Sequence, residues 1–84
     1  MLFSEALQEM LKGNFVTRET YEKTTGEYYV LLPGMQFVWK IVTQPNPAAG
    51  NWLPLVDDLT ASDWVVVDKG VVNVVKEALE KAAA

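Results

Sequence analysis

The spacing of apolar and polar positions along this chain predicts its elements before any composition is counted. Phe3, Leu7, Met10 and Leu11 recur at helical spacing. Ser4 is placed as an N-cap, Glu5 sits in the first turn, Lys12 in the last, and Gly13 follows as a stop, so a helix is expected over residues 4–12 with its apolar face on a sheet. Residues 15–19 read as a first strand, and the polar run TRETYEKTTGE as an exposed connection ending in a turn. Residues 27–32 are rich in aromatic and β-branched types and predict a second strand. Pro33-Gly34 is a turn dipeptide suited to type II geometry. Beyond it Met35, Phe37, Trp39 and Ile41 alternate with Gln36, Val38, Lys40 and Val42, which predicts a strand over 35–43 paired with 27–32 as a hairpin.

The second half is more broken. QPNPAAGN, residues 44–51, reads as a loop without ladder pairing. Residues 52–56 suggest a short strand that Pro54 confines to an edge. Asp57 and Asp58 can cap one helical turn over LTAS, and the unalternating apolar run 64–67 predicts a buried strand. Asp68 is positioned to cap a final helix reaching about Lys81, with Val71, Val75, Ala78, Leu79 and Ala82 as its apolar stripe. That helix is rich in valine, so packing rather than propensity has to hold it. The sum is an α+β fold: a small antiparallel sheet with an N-terminal helix, a short helical turn before the last strand, and a C-terminal helix. It forms one domain over residues 1–84, the last helix occupying 69–84.

Composition narrows the function. Half of the 84 residues are apolar, including three Trp, three Tyr and three Phe. A domain this small buries only about 60% of the surface of its unfolded chain. Part of that apolar supply is therefore expected in a subunit interface, as a homo-oligomer. Eleven acidic against seven basic residues give a net charge of −4, which argues against DNA or RNA as a partner. There is no cysteine and no histidine, which removes disulfides, thiolate metal sites and the commonest general base. The N-terminal stretch lacks the pattern of a signal peptide, and no apolar run reaches the length of a membrane span. A soluble cytoplasmic protein without cofactor is expected.

Asp57, Asp58 and Asp63 do not have the spacing of a calcium loop and read first as caps and solvated turns. Ser4, Ser62 and the threonines have no histidine to activate them, and no phosphate-loop or nucleophile-elbow motif is present. Catalytic residues and metal ligands are accordingly expected to be absent, and binding without turnover suits the inventory better than catalysis. Aromatic faces stack on nucleobases for about 1–3 kcal/mol each. Arg18, the single arginine, can grip a phosphate bidentately and lies three residues before Tyr21. From composition alone the ordinary reading stands ahead: a surface ion pair of Arg18 with Glu19 or Glu22, worth little, and a half-exposed Tyr21.

The order of three segments adds to this. FSEALQEMLKGNFVTRETY, then EYYVLLPG, then WLPLVDDLTASDWVVV resemble the second type of Thoeris anti-defence proteins of bacteriophages over residues 3 to about 67. The resemblance implies a small, oligomeric, non-enzymatic sponge. Such a protein binds the cyclic ADP-ribose-type signal made by the bacterial Thoeris TIR protein, in pockets between subunits, and keeps it from its effector. Some members also hold cyclic dinucleotides at a separate site. The implied setting is the cytoplasm of the infected bacterial host, with the protein as a dimer or tetramer. Arg18 matches the family arginine, and Tyr21 stands where the family usually has tryptophan, keeping an aromatic face with less area and an added hydroxyl. Trp52, Pro54, Asp58, Leu59, Ala61, Asp63 and Trp64 match the last motif, in which Leu55 replaces the usual serine. Read with this resemblance, Arg18, Tyr21, Trp52, Asp58 and Asp63 are the expected ligand-binding residues. Trp64 and Leu59 are expected in the core, Asp58 as a cap with ligand contact, Asp63 as a holder of a ribose diol, and Trp52 as a pocket wall. The competing class is an interaction module that inhibits a host protein through Tyr28, Tyr29 or Trp39 as aromatic anchors.

Overall fold

A computed structural model describes residues 1–24, 26–44 and 46–83. The elements in chain order are α1 (Phe3–Leu11), β1 (Val16–Arg18), α2 (Glu19–Thr24), β2 (Glu27–Val30), β3 (Trp39–Val42), β4 (Ala48–Asn51), α3 (Val56–Thr60), β5 (Trp64–Val66) and α4 (Lys69–Ala83). Among the described residues five strands form one antiparallel sheet in the order β4-β3-β2-β1-β5. With an N-terminal helix, a short helix before the last strand and a C-terminal helix, this is the α+β architecture the sequence predicts.

The sheet separates two apolar clusters because side chains on a strand alternate between faces. Tyr28 and Val30 of β2 and Ile41 of β3 point one way, onto Val75 and Ala78 of α4. Val16 of β1, Tyr29 of β2 and Trp64 of β5 point the other way, onto Ala6 and Met10 of α1 and onto Trp52. The second cluster is the aromatic one. Tyr29 and Trp52 lie 4.7 Å apart between ring centroids, Tyr29 and Trp64 5.4 Å, and Phe3 meets both tryptophans within 5.7 Å. Tilted and edge contacts of this kind add to area burial. The α4 stripe forms as predicted: Val75 and Ala78 are buried, with Val71, Val72 and Leu79 packed beside them.

Several local expectations are corrected. The N-cap of α1 is Leu2, not Ser4, and Glu5 reaches back to accept the Leu2 N–H at 2.8 Å. Leu11 is exposed, and Ala6 takes the place at the interface that the pattern gave to it. Gly13, at φ +93, does end the helix. The polar run after β1 is not a loop but α2; Thr25 within it lies outside the described residues. Met35 N–H donates to Leu32 O at 3.0 Å around Pro33 and Gly34, whose φ of +86 is the positive angle a type II turn needs. The hairpin it belongs to is longer than a tight turn, since ladder pairing of β2 with β3 begins at Val30 and Trp39. Residues 35–38 therefore leave the strand despite their alternation. Residues 48–51 do pair, as edge strand β4, because Ala48, Ala49 and Gly50 are small enough to lie flat on β3; Pro45 of this segment lies outside the described residues. No strand forms over 52–56. Strand β5 is at the sheet edge rather than buried throughout, and its Val66 is exposed.

Candidate functional site

Arg18 closes β1 opposite Trp64 of β5, on the same face as the aromatic cluster. From there its guanidinium meets two carboxylates that are remote in sequence. Nε donates to Asp63 Oδ1 at 2.8 Å and Nη1 to Asp58 Oδ1 at 3.1 Å. The Tyr21 hydroxyl donates to the same Asp58 oxygen at 2.8 Å, and the Arg18 guanidinium carbon sits 5.0 Å from the Tyr21 ring centroid. Thr20 donates to Asp63 Oδ2 at 3.2 Å. Only 16% of the Arg18 side chain is exposed. The expected surface pair with Glu19 or Glu22 is thus replaced by a part-buried clamp of β1 to the segment between α3 and β5.

Asp58 is its centre. It is 3% exposed, at the third position of α3, and its Oδ2 accepts the Leu55 N–H at 3.0 Å. It therefore caps α3 as expected, though by reaching back from inside the first turn, and Asp57 is left exposed. Its backbone carbonyl accepts the Trp64 indole N–H at 2.9 Å, the partner a fully buried tryptophan needs. Of about four acceptor positions on a carboxylate, the Asp58 side chain has three filled. Leu59, one residue on, is 46% exposed and not core, because the five-residue α3 turns its Asp58 side inward.

The network shifts its own titrations. Burial alone raises the Asp58 carboxyl, but bonds from Leu55 N–H, Tyr21 and Arg18 outweigh it and hold it below the ordinary value. Asp63 is lowered likewise, burial being overcome by its bond and attraction to Arg18 and by Thr20. Tyr21 is raised, chiefly by its bond to Asp58, and Arg18 is held above its usual value, chiefly by its bond to Asp63. Both aspartates thus give up their protons at lower pH in the folded chain than in the unfolded one, where an Asp titrates near about 3.9. Between those values the unfolded chain binds more protons, so stability rises with pH. Denaturant melts across the acid range should show the Asp58 and Asp63 contribution in full above about pH 5, fading as pH falls. Asp63→Asn should flatten that dependence; an unchanged slope would mean that its pairing with Arg18 is not formed in solution.

Next to this network lies a cavity of about 410 Å³. Tyr21, Tyr29 and Trp52 give it aromatic walls, Asp58 a carboxylate edge, and Lys40 with Glu27 a charged side. Lys40 is brought there by register, being the cross-strand partner of Tyr29 on β2 and of Gly50 on β4. Its Nζ stands 3.5 Å from Glu27 Oε1, and the Tyr29 hydroxyl donates to Glu27 Oε2 at 3.2 Å. Burial above all raises the Tyr29 hydroxyl far above its usual titration, so it remains a proton donor.

Of the five residues nominated from sequence, Arg18, Tyr21, Asp58 and Asp63 meet in one hydrogen-bonded cluster. Tyr21, Asp58 and Trp52 line the cavity, while Arg18 and Asp63 do not appear among its walls. Trp52 is also largely part of the aromatic core. Lys40, Glu27 and Tyr29 were not nominated. The signal for Lys40 was the strand alternation itself, which set it on the face opposite Trp39 and Ile41. Of the three aromatic anchors considered for a protein partner, Tyr28 and Tyr29 are buried and Trp39 is partly buried against the core.

Among the described residues no group of three or more metal-ligating side chains is clustered, and no helix is long and apolar enough to cross a membrane. The fold and this cavity define a small α+β domain with an aromatic-walled recess beside a buried ion-pair cluster. The sequence profile of the Tad2-like family, the Thoeris anti-defense 2-like domain, matches residues 1–67, and the chain belongs to that family. Its role is accordingly of the Thoeris anti-defence kind. Helix α4 lies beyond the match. No curated protein and no solved structure matches the chain significantly.

Proposed function

We propose that this chain is a phage sponge that binds a cyclic ADP-ribose-type immune signal and withholds it, unaltered, from its effector in the cytoplasm of the infected bacterium. The observation that carries this reading is the cavity bounded by Tyr21, Tyr29, Trp52, Lys40 and Asp58. It lies within the size range of small-ligand sites. The ring of Tyr21, the one of the three aromatic walls that is not buried, takes the adenine, Lys40 the anionic diphosphate, and the open acceptor position of Asp58 a ribose hydroxyl. Arg18, committed to two carboxylates, shapes the site rather than gripping phosphate; its cluster carries one positive against two negative charges. The chain has no histidine, the commonest general base, and this supports binding without turnover. Cyclic dinucleotides are a second ligand class of interest, and DNA and RNA are not partners.

Tight competition with a receptor, at about −12 kcal/mol for a nanomolar complex, calls for an enclosed site. The cavity rim carries uncovered apolar side chains: Leu53 is 86% and Leu55 66% exposed. A second copy of the chain seated on this rim encloses the ligand, in a dimer or tetramer. Replacing both Leu53 and Leu55 by Asp should shift the mass measured by light scattering to that of the monomer and weaken signal binding. An unchanged assembly would place the subunit contact elsewhere.

The sponge itself is tested by calorimetry with the Thoeris signal and, separately, with cyclic dinucleotides, followed by boiling and assay of the supernatant. Binding with intact signal returned is expected. Degraded signal would indicate an enzyme, and absence of binding would remove the sponge reading.

A further inference from the structure

A second cleft, of about 470 Å³, lies between α4, the connection from α1 to β1 and the end of β5. Phe15 and Val67, both buried, form its floor together with Val72, and Lys69, Asn73 and Lys76 of α4 form its wall. No Asp or Glu lines it, although acidic residues outnumber basic ones in the chain. Glu9, which approaches through Asn14, is already engaged with Lys12 and with the Asn14 amide at 3.0 and 3.1 Å.

The distribution of cations is the telling feature. Lys12, Arg18, Lys40 and Lys81 each have a carboxylate partner. Among the described residues Lys69 and Lys76 form no ion pair, and both line this one cleft. Glu80, one helical turn beyond Lys76, does not pair with it; lysine before glutamate is the weaker order for such a pair. Lys69 is also the first residue of α4, where the helix dipole disfavours a cation by about 0.3–1 kcal/mol. A residue that works against local stability while facing a cavity is better explained by what the cavity binds.

The geometry points to a binding site for a small phosphate-bearing molecule with an apolar or aromatic body, held by Lys69 and Lys76. The lysines are seven positions apart, two turns of one face and about 10 Å along the axis. Their flexible stems let both ammonium groups close on one dianionic phosphate, a point-charge mode natural to lysine. The apolar body lies on Phe15, Val67 and Val72, and the Asn73 amide supplies a hydrogen bond at the rim. Lys69, Val72, Asn73 and Lys76 belong to α4, beyond the family match, while Phe15 and Val67 of the floor lie within it, so the site is built from both segments. It does not depend on the sponge reading.

Phenyl phosphate is the probe, with benzoate of similar shape and single charge as comparison. Amide shifts followed by NMR in the full chain should move at residues 13–15 and 66–76, with phenyl phosphate at least tenfold tighter than benzoate. Lys69→Gln together with Lys76→Gln should weaken phenyl phosphate at least tenfold, and Lys81→Gln, at a lysine paired with Glu77 outside the cleft, should leave it unchanged. Without ligand, Lys69→Gln should melt no lower than the parent chain, since it removes a cation from a helix N-terminus. The proposal is overturned if phenyl phosphate moves no amides in those segments, if benzoate binds as well, or if the double variant binds equally. A lower melting temperature for Lys69→Gln would show a structural lysine and count against it equally.

Discussion

Asp58→Ala should lower the melting temperature by about 12 °C or more, and empty the aromatic cavity of its binding capacity at the same time. The substitution removes an acceptor that serves Arg18, Tyr21 and the Leu55 N–H together. It leaves a guanidinium that is only 16% exposed beside Asp63 alone. Breaking a buried pair from one side costs about 3–5 kcal/mol. A domain of this size loses roughly 4–8 °C for each kcal/mol, and its total stability is about 5–15 kcal/mol, so the loss is a large share of the whole. Circular dichroism melts provide the measurement. Arg18→Met in the Asp58→Ala background should recover part of the loss, because it removes the stranded charge. A drop of only a degree or two in the single variant, with no coupling to Arg18, would mean that the clamp contributes little.

Lys40→Gln should behave in the opposite way, with the fold kept and the ligand lost. The Lys40–Glu27 pair is long, at 3.5 Å, and partly exposed, so its contribution to stability is about 0–1 kcal/mol. A charge-assisted bond to a ligand phosphate contributes about 1.5–3 kcal/mol, which is a loss of about 10- to 100-fold in affinity for the cyclic ADP-ribose-type signal. Calorimetry on Lys40→Gln and Arg18→Ala side by side separates the two cations. Arg18→Ala should lose stability and affinity together, since the residue holds Asp58 and Tyr21 in place. Full affinity in Lys40→Gln would return the phosphate to another group and remove Lys40 from the site.

How far the site was readable follows from the kind of signal each residue carries. Arg18 and Asp58 stood out from sequence as the single arginine and as a capping aspartate in a matched motif. Their mutual bond did not, because it closes a loop of forty residues and depends on β1 and β5 lying side by side. Asp63, read as a ligand group, is also the nearer carboxylate partner of Arg18, which its position in the motif did not show. The Tyr21 hydroxyl, an apparent oddity where the family usually has tryptophan, proves to be a donor to Asp58. Lys40 looked like any solvated strand lysine, and only the pairing of β3 with β2 and β4 brings it to the cavity.

The sequence by itself determined the periodic parts of this protein: α1, α4 with its valine stripe, the β2 and β3 core, the type II turn at Pro33-Gly34, and family membership through ordered motifs. Those features are local, or are written as patterns of period two and 3.6 that need no partner to be read. The tertiary structure decided what depends on neighbours. It made Ala48–Asn51 a strand because β3 offered a free edge, and drew α2 from a polar run. It turned Leu59 and Leu11 outward, and converted Arg18 from a surface cation into the part-buried clasp between β1 and the α3–β5 segment. The physical reason is common to all four. Burial, register and ion pairing are set by which distant segment arrives at a position, and a single chain read residue by residue does not contain that information until the sheet has formed.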